Sequence, residues 1–152
     1  MTLPRVGQSA AEIETPALAI DIDAMQRNLE RMADYARARG LRLRPHAKTH
    51  KCAATAQLQI AAGAVGVCVQ KVAEAEALAA LGVPDIYISN EVVDPAKLAR
   101  VAELASRATL AIAVDSALGV QRLAAALQAR GSGVDVFVEV DVGHGRCGVA
   151  PV

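Results

Sequence analysis

Short apolar runs alternate with amphipathic stretches along almost the whole chain, and this alternation restricts the fold more than any other feature. Ala64–Val69, Asp85–Ser89, Leu110–Val114 and Val134–Val140 are brief, rich in Val and Ile, and read as buried strands. Thr15–Asp21 and Gly40–Arg44 extend the series, the latter alternating apolar and basic residues before Pro45 stops regular pairing. Helical patterns lie between them. One begins at Asp23, read as its N-cap, and runs to Arg39, with Leu29, Met32 and Ala33 on one face and Gly40 ending it. Others cover Ala53–Ala61, Val72–Leu81, Pro95–Ser106 with proline in the first turn, and a run capped by Ser116 that ends at Arg130. Strands joined through helices of this length run parallel, because a crossover returns the chain to the same end of the sheet.

The strand ends fall near residues 48, 70, 90, 115 and 141, a spacing of roughly 20 to 26 residues. Eight such units close a (β/α)8 barrel of about 200 residues or more, and the 152 residues hold about five. The expected fold is therefore α/β, the N-terminal portion of a (β/α)8 barrel. Residues 1–14 are expected to be a flexible N-terminus and 15–152 the partial barrel, with the remaining units beyond Val152. An open doubly wound sheet is the competing architecture, and it would carry helices on both faces.

Composition narrows the partners. The chain has 53% hydrophobic residues but only three aromatic ones, Tyr35, Tyr87 and Phe137, so its core must be Ala, Val, Leu and Ile. Sixteen basic and sixteen acidic side chains give zero formal net charge. That balance lacks the clustered positive field that nucleic acid or an anionic membrane surface requires. Cys52, Cys68 and Cys147 are odd in number and form no CxxC pair, which points to a reducing compartment. No run approaches the ~18 apolar residues of a membrane span, and residues 1–14 contain no signal-type apolar segment. A cytoplasmic protein acting on a small molecule is the expectation.

The run Arg44-Pro45-His46-Ala47-Lys48-Thr49-His50-Lys51 places a lysine just past a strand end, where α/β folds assemble their chemistry. Its neighbours are cationic, a setting suited to a lysine amine used in Schiff-base chemistry. A solvated basic loop would have the same composition. The later strands end in Gln70-Lys71, Asn90-Glu91, Asp115, and Asp141 with Arg146. Asn90 and Asp115 suit equally well the N-caps of the helices that follow them. In the loop Asp141–Gly148, three glycines surround Arg146, whose guanidinium fork can grip an oxyanion. The G-x-G-x-x-G spacing of Gly143, Gly145 and Gly148 is not a dinucleotide fingerprint here, because that motif opens a helix after the first strand of a nucleotide fold. His46 and His50 would share a metal only on a helix, which Pro45 opposes, so no metal ligands are assigned. Cys68 reads as core, and nothing marks Cys52 or Cys147 as a nucleophile.

Five stretches together carry a resemblance: T-P-A-L-A-I-D at 15–21, R-P-H-A-K-T-H-K at 44–51, Q-K-V-A-E-A-E-A at 70–77, I-S-N-E-V-V at 88–93 and E-V-D-V-G-H-G-R-C-G-V at 139–149. In these the chain resembles the fold-type III pyridoxal-phosphate enzymes of the D-threonine aldolase, 3-hydroxyaspartate aldolase and D-serine dehydratase group, relatives of the alanine racemase N-terminal barrel. The resemblance implies that Lys48 binds the cofactor aldehyde covalently and that Arg146 donates to its phenolic oxygen. Gln70 would be a ring-side contact, Asn90 and Asp115 further cofactor-side residues, and His46 a catalytic partner of Lys48. It implies retro-aldol cleavage of a D-configured β-hydroxy amino acid, with a dehydratase and a non-catalytic pyridoxal-phosphate-binding barrel as alternatives. It also implies a divalent metal (Mn, Mg, Zn or Co) held by residues outside this chain, a C-terminal β-domain, and a homodimer at full length. The 152 residues alone are expected to be inactive.

Overall fold

The computed structural model describes residues 4–151; residues 1–3 of the expected flexible terminus, and Val152, lie outside them. Within that terminus Ala10–Glu12 forms one 3-10 turn, capped by Ser9 with Glu12 reaching back to the Ser9 amide. Helix α1 (Ile22–Ala38) follows. Its cap is Asp21, whose carboxylate accepts the Ala24 N–H at 2.9 Å, and not Asp23. Asp23 lies inside the first turn, where its charge faces the positive end of the helix dipole. Of the face expected from Leu29, Met32 and Ala33, only Ala33 is buried, and Ala36 joins it. Gly40, at φ 62, ends the helix as expected.

Then come α2 (Ala53–Ala61), β1 (Val67–Val69), α3 (Val72–Ala80), β2 (Asp85–Ile88), α4 (Pro95–Leu104), β3 (Thr109–Val114), α5 (Ala117–Arg130) and β4 (Asp135–Val138). The four strands form one parallel sheet in sequential order, β1-β2-β3-β4. Period two divides their side chains between two faces. Val67, Val69, Ile86, Ile88, Leu110, Ile112 and Val114 form a single core with α2, α3, α4 and α5 residues such as Ala56, Leu78, Leu98, Val101 and Leu123. Cys68, Tyr87, Ala111, Ala113 and Phe137 take the other parity. Sequential order with helices on one face is the winding of a barrel wall, so the doubly wound alternative is set aside. On the inner face the small Ala111 and Ala113 of β3 leave room for Tyr87 and Phe137 to meet across it, ring centroids 5.1 Å apart. Ile86 has no exposed surface. Ile86→Ala is therefore expected to lower stability by about 2–5 kcal/mol, measured as a lower urea midpoint at unchanged slope.

Two expected strands differ. Thr15–Asp21 is not a strand: no described segment lies alongside to share a ladder, and Leu18 is fully exposed. Gly40–Arg44 also makes no regular ladder. The pairing with β1 occurs slightly later, where Cys68 N–H donates to Pro45 C=O and Ala47 N–H to Cys68 C=O, both at 2.7 Å. Pro45 has no N–H to continue the ladder backwards. Arg44 instead turns its guanidinium to Asp85 at the start of β2, 2.7 and 3.3 Å from the two carboxylate oxygens. The ion pair passes directly over Gly66, where an added Cβ would come within 2.5 Å of both Arg44 Nη1 and Asp85 O. At the other edge β4 is exposed on both faces, with Phe137 at 54% and Val138 at 66%. No described helix is long and apolar enough to cross a membrane.

Candidate active site at the carboxyl ends of the strands

A parallel sheet brings every strand's carboxyl end to one side, so Lys48, Gln70, Asn90, Asp115 and Arg146 all lie at the same end of the molecule. They fall into two groups. The Lys48 group lies at the β1 edge of the sheet and the Arg146 group beyond β4, with the ends of β2 and β3 between them.

Lys48 is exposed, on a turn that begins at the His46–Cys68 bridge. The turn is closed by Lys51 N–H donating to Ala47 C=O at 2.8 Å, while Lys48 N–H donates to His46 Nδ1 at 3.3 Å. Four residues on, Cys52 N–H donates to His50 Nδ1 at 3.1 Å, the same two-residue geometry. Lys51 binds Glu74 at 3.2 Å, and Glu74 also accepts the Gln70 and Lys71 amides at the start of α3. Burial and then the Lys48 charge lower the His46 pKa from 6.5. Among the described residues the Lys48 ammonium has no ion-pair partner.

The second group is built by the loop after β4. The Asp141 carboxylate accepts Gly143 N–H at 2.9 Å and Gly145 N–H at 3.0 Å, and those two amides hold its pKa below the usual value, Gly145 foremost. Asp141 N–H donates to Val149 C=O and Val149 N–H to Glu139 C=O, so the loop returns beside its own strand. Asp115 does not cap α5, which Ser116 does; its carboxylate accepts the Gly148 amide at 3.3 Å. Asn90 likewise caps nothing, because Asp94 caps α4. Arg146 is exposed at the crest of this loop and, among the described residues, forms no ion pair closer than 4 Å.

Beneath Arg146 lies a cluster that sequence reasoning did not find. One donor atom each from Glu91, Glu139 and Cys147 lie within 4.8 Å of one another. The Cys147 thiol donates to Glu139 Oε1 at 2.8 Å. Burial, and then its hydrogen bond with Glu139, push the Glu91 pKa up, while the Cys147 thiol first and Glu91 second hold Glu139 down. The thiol engages Glu139, while Glu91 Oε1 is buried without a partner among the described residues. Ser89 was also missed. Its parity matches Tyr87 and was readable from the two-residue period, whereas the Glu91–Glu139 approach depends on inter-strand register.

A cleft of about 420 Å³ runs between the ends of β1 and β2, lined by Gln70, Lys71, Asn90, Glu91, Val93 and Lys97 among others. A wider groove of about 820 Å³ lies at the opposite end, among Pro84, Arg107, Thr109 and Asp135. It lies at the other end of the sheet from the Lys48 and Arg146 groups, and barrel folds use that end for stability. The donor set at the carboxyl end fits pyridoxal phosphate. Among the described residues, it offers an amine with no carboxylate partner for an aldehyde and a guanidinium with no carboxylate partner for an anionic oxygen, with Gln70 between them able to donate or accept.

The family model for the alanine racemase N-terminal domain matches residues 20–152. Over 145 residues the chain is 47% identical to a 3-hydroxy-D-aspartate aldolase of Paracoccus denitrificans, a match covering 94% of this chain and 38% of that protein. A crystal structure of D-threonine aldolase from Filomicrobium marinum superposes with a TM-score of 0.92 at 50% identity, covering 94% of this chain and 39% of that one. A D-threo-3-hydroxyaspartate dehydratase of Delftia is more distant, 40% identical over 138 residues, covering 90% of this chain and 36% of that protein. The chain thus spans little more than a third of the length of these relatives.

Proposed function

This chain belongs to the alanine racemase N-terminal domain family, and on that premise we propose that it supplies the lysine-bearing wall of a pyridoxal-phosphate lyase. The reaction is retro-aldol cleavage of D-configured β-hydroxy amino acids such as D-threonine or 3-hydroxyaspartate. Glycine and an aldehyde are the products, the aldehyde of 3-hydroxyaspartate being glyoxylate. The observation that carries this reading is the greater likeness to the aldolases, at 47% and 50% identity, than to the dehydratase at 40%. The placement of Lys48 and Arg146 at one end of the sheet supports it chemically.

The cofactor supplies an electron sink for the charge left at Cα when the Cα–Cβ bond breaks. Lys48 presents the amine that anchors the aldehyde, and its exposure on a short turn lets it reach. Arg146 would donate to the phenolic oxygen and favour its anionic form. Gln70 and Asn90 line the 420 Å³ cleft and would offer amides to the ring and substrate. Asp115 fixes the backbone of the Arg146 loop through the Gly148 amide. A divalent metal, a cytoplasmic location and a homodimer remain part of the proposal for the full-length protein.

The test has two parts. Incubated with pyridoxal phosphate and dialysed, the 152-residue chain is expected to retain a visible absorption band. Aldehyde release from D-threonine and 3-hydroxyaspartate is expected from the full-length product of the reading frame that contains this chain, and little or none from the 152 residues alone. Ammonia and a 2-oxo acid in place of glycine would replace the aldolase by the dehydratase. A retained band with neither product from the full-length protein would leave a cofactor-binding barrel.

A further inference from the structure

We propose that His46 is a positioning residue, which holds the Lys48 turn through one neutral tautomer that Ser89 locks from the opposite side. The inference rests on reading Lys48 as the anchoring amine, and its chemistry is confined to three hydrogen bonds. His46 Nδ1 accepts the Lys48 N–H at 3.3 Å. A ring nitrogen that accepts carries no proton, so in the neutral imidazole the proton resides on Nε2. Nε2 lies 3.4 Å from Ser89 Oγ, and that hydroxyl is 3.1 Å from the Val69 carbonyl. Only one placement of protons satisfies the whole series: His46 Nε2–H donates to Ser89, and Ser89 O–H donates to Val69. The far end is anchored in β1, whose Val69 carbonyl also accepts the Ser89 amide at 2.9 Å. With both ring nitrogens engaged, His46 has none free to exchange protons with a substrate.

Protonation would undo this lock. A proton on Nδ1 would point at the Lys48 N–H, donor against donor, and the turn would lose the contact that fixes its lysine. The groups around the ring mostly resist that. Burial is the largest influence and Lys48 on the same turn the next; Glu74 from α3, the Cys68 backbone on β1 and the Gln70 side chain act in the opposite sense. The folded pKa is lowered, so the unfolded chain binds the proton more readily. The lock is therefore fully present above the unfolded value of about 6.5 and is lost as pH falls through the lower folded one. His50 repeats the Nδ1 contact on the other side of Lys48, to Cys52 N–H, so two imidazoles bracket the turn from positions 46 and 50.

The full-length protein and its His46→Leu, His46→Asn and Ser89→Ala variants distinguish this role from simple packing. Without cofactor, nitrogen NMR of His46 is expected to show the Nε2–H tautomer, and the protection of the Lys48 amide, its exchange taken relative to the intrinsic rate at each pH, to fall on acidification through the His46 titration. His46→Leu should speed that exchange and slow pyridoxal-phosphate capture by about tenfold each, the scale of one hydrogen bond. His46→Asn should restore both, because an asparagine oxygen also accepts the amide two residues on, and it should abolish the pH dependence. Ser89→Ala should leave the Lys48 amide less protected by several-fold. An Nδ1–H tautomer in the unaltered protein would overturn the proposal, as would His46→Leu leaving Lys48 exchange unchanged. Failure of the unaltered protein to capture cofactor would instead overturn the reading of Lys48, while the tautomer and exchange data would still judge His46.

Discussion

Lys48→Ala is expected to abolish covalent capture of pyridoxal phosphate, leaving no visible band after dialysis, and to lower turnover of the full-length protein by at least about a thousandfold. The magnitude follows from chemistry that a neighbouring residue cannot replace. Lys51 and Lys71 are the nearest other lysines in the sequence, and both are placed for other tasks. Lys51 holds Glu74 at 3.2 Å, and Lys71 occupies the N-cap position of α3. Alanine at position 48 leaves the turn itself intact, because the contacts that form it use backbone N–H groups of Lys48, Lys51 and Cys52. The variant should therefore melt within about a degree or two of the unaltered protein, as surface substitutions do. Retention of the band in Lys48→Ala would move the anchoring amine elsewhere.

The sequence reading succeeded where local pattern and buried burden coincide. Val67, Ile86, Ile112 and Val114 lie in strands that are buried on the helix-facing side whatever their neighbours do, so short apolar runs were enough to find them. Ser116 caps its helix by a contact three residues long, which sequence also carries, whereas the cap of α4 is Asp94 and not the expected Asn90. Thr15–Asp21 failed because a strand needs a partner, and its pattern describes only the segment itself. The cap at Asp21 was displaced by two residues because Asp23 offers the same side chain, and only backbone dihedrals separate a cap from a first-turn acid. At the candidate site, Lys48 and Arg146 were legible as strand-end residues. The contacts between Glu91, Glu139 and Cys147, and the Ser89 contact to His46, were not. They join strands far apart in sequence, and inter-strand register decides them.

Gly148→Ala is expected to weaken cofactor binding by tenfold or more without replacing any residue assigned to the cofactor. Gly148 has φ 99, a conformation that costs an L side chain about 1–2 kcal/mol by itself. The added Cβ would also lie 2.7 Å from Asp141 N and 2.9 Å from the Val140 carbonyl carbon. Both are backbone atoms in the base of the loop, so relief requires the loop to open. Opening it strains the Asp115–Gly148 contact and the paired Val149–Glu139 and Asp141–Val149 hydrogen bonds that hold Arg146 over the strand ends. Gly145→Ala is the control: φ is 67 there, but nothing lies within 4 Å of an added Cβ. It should carry the conformational cost alone, a fall of a few degrees in Tm, with capture nearly unchanged. Arg146→Leu should match Gly148→Ala in affinity while keeping the original Tm. If instead Gly148→Ala binds the cofactor as tightly as Gly145→Ala, the loop does not position Arg146, and that guanidinium must reach its ligand from a mobile segment.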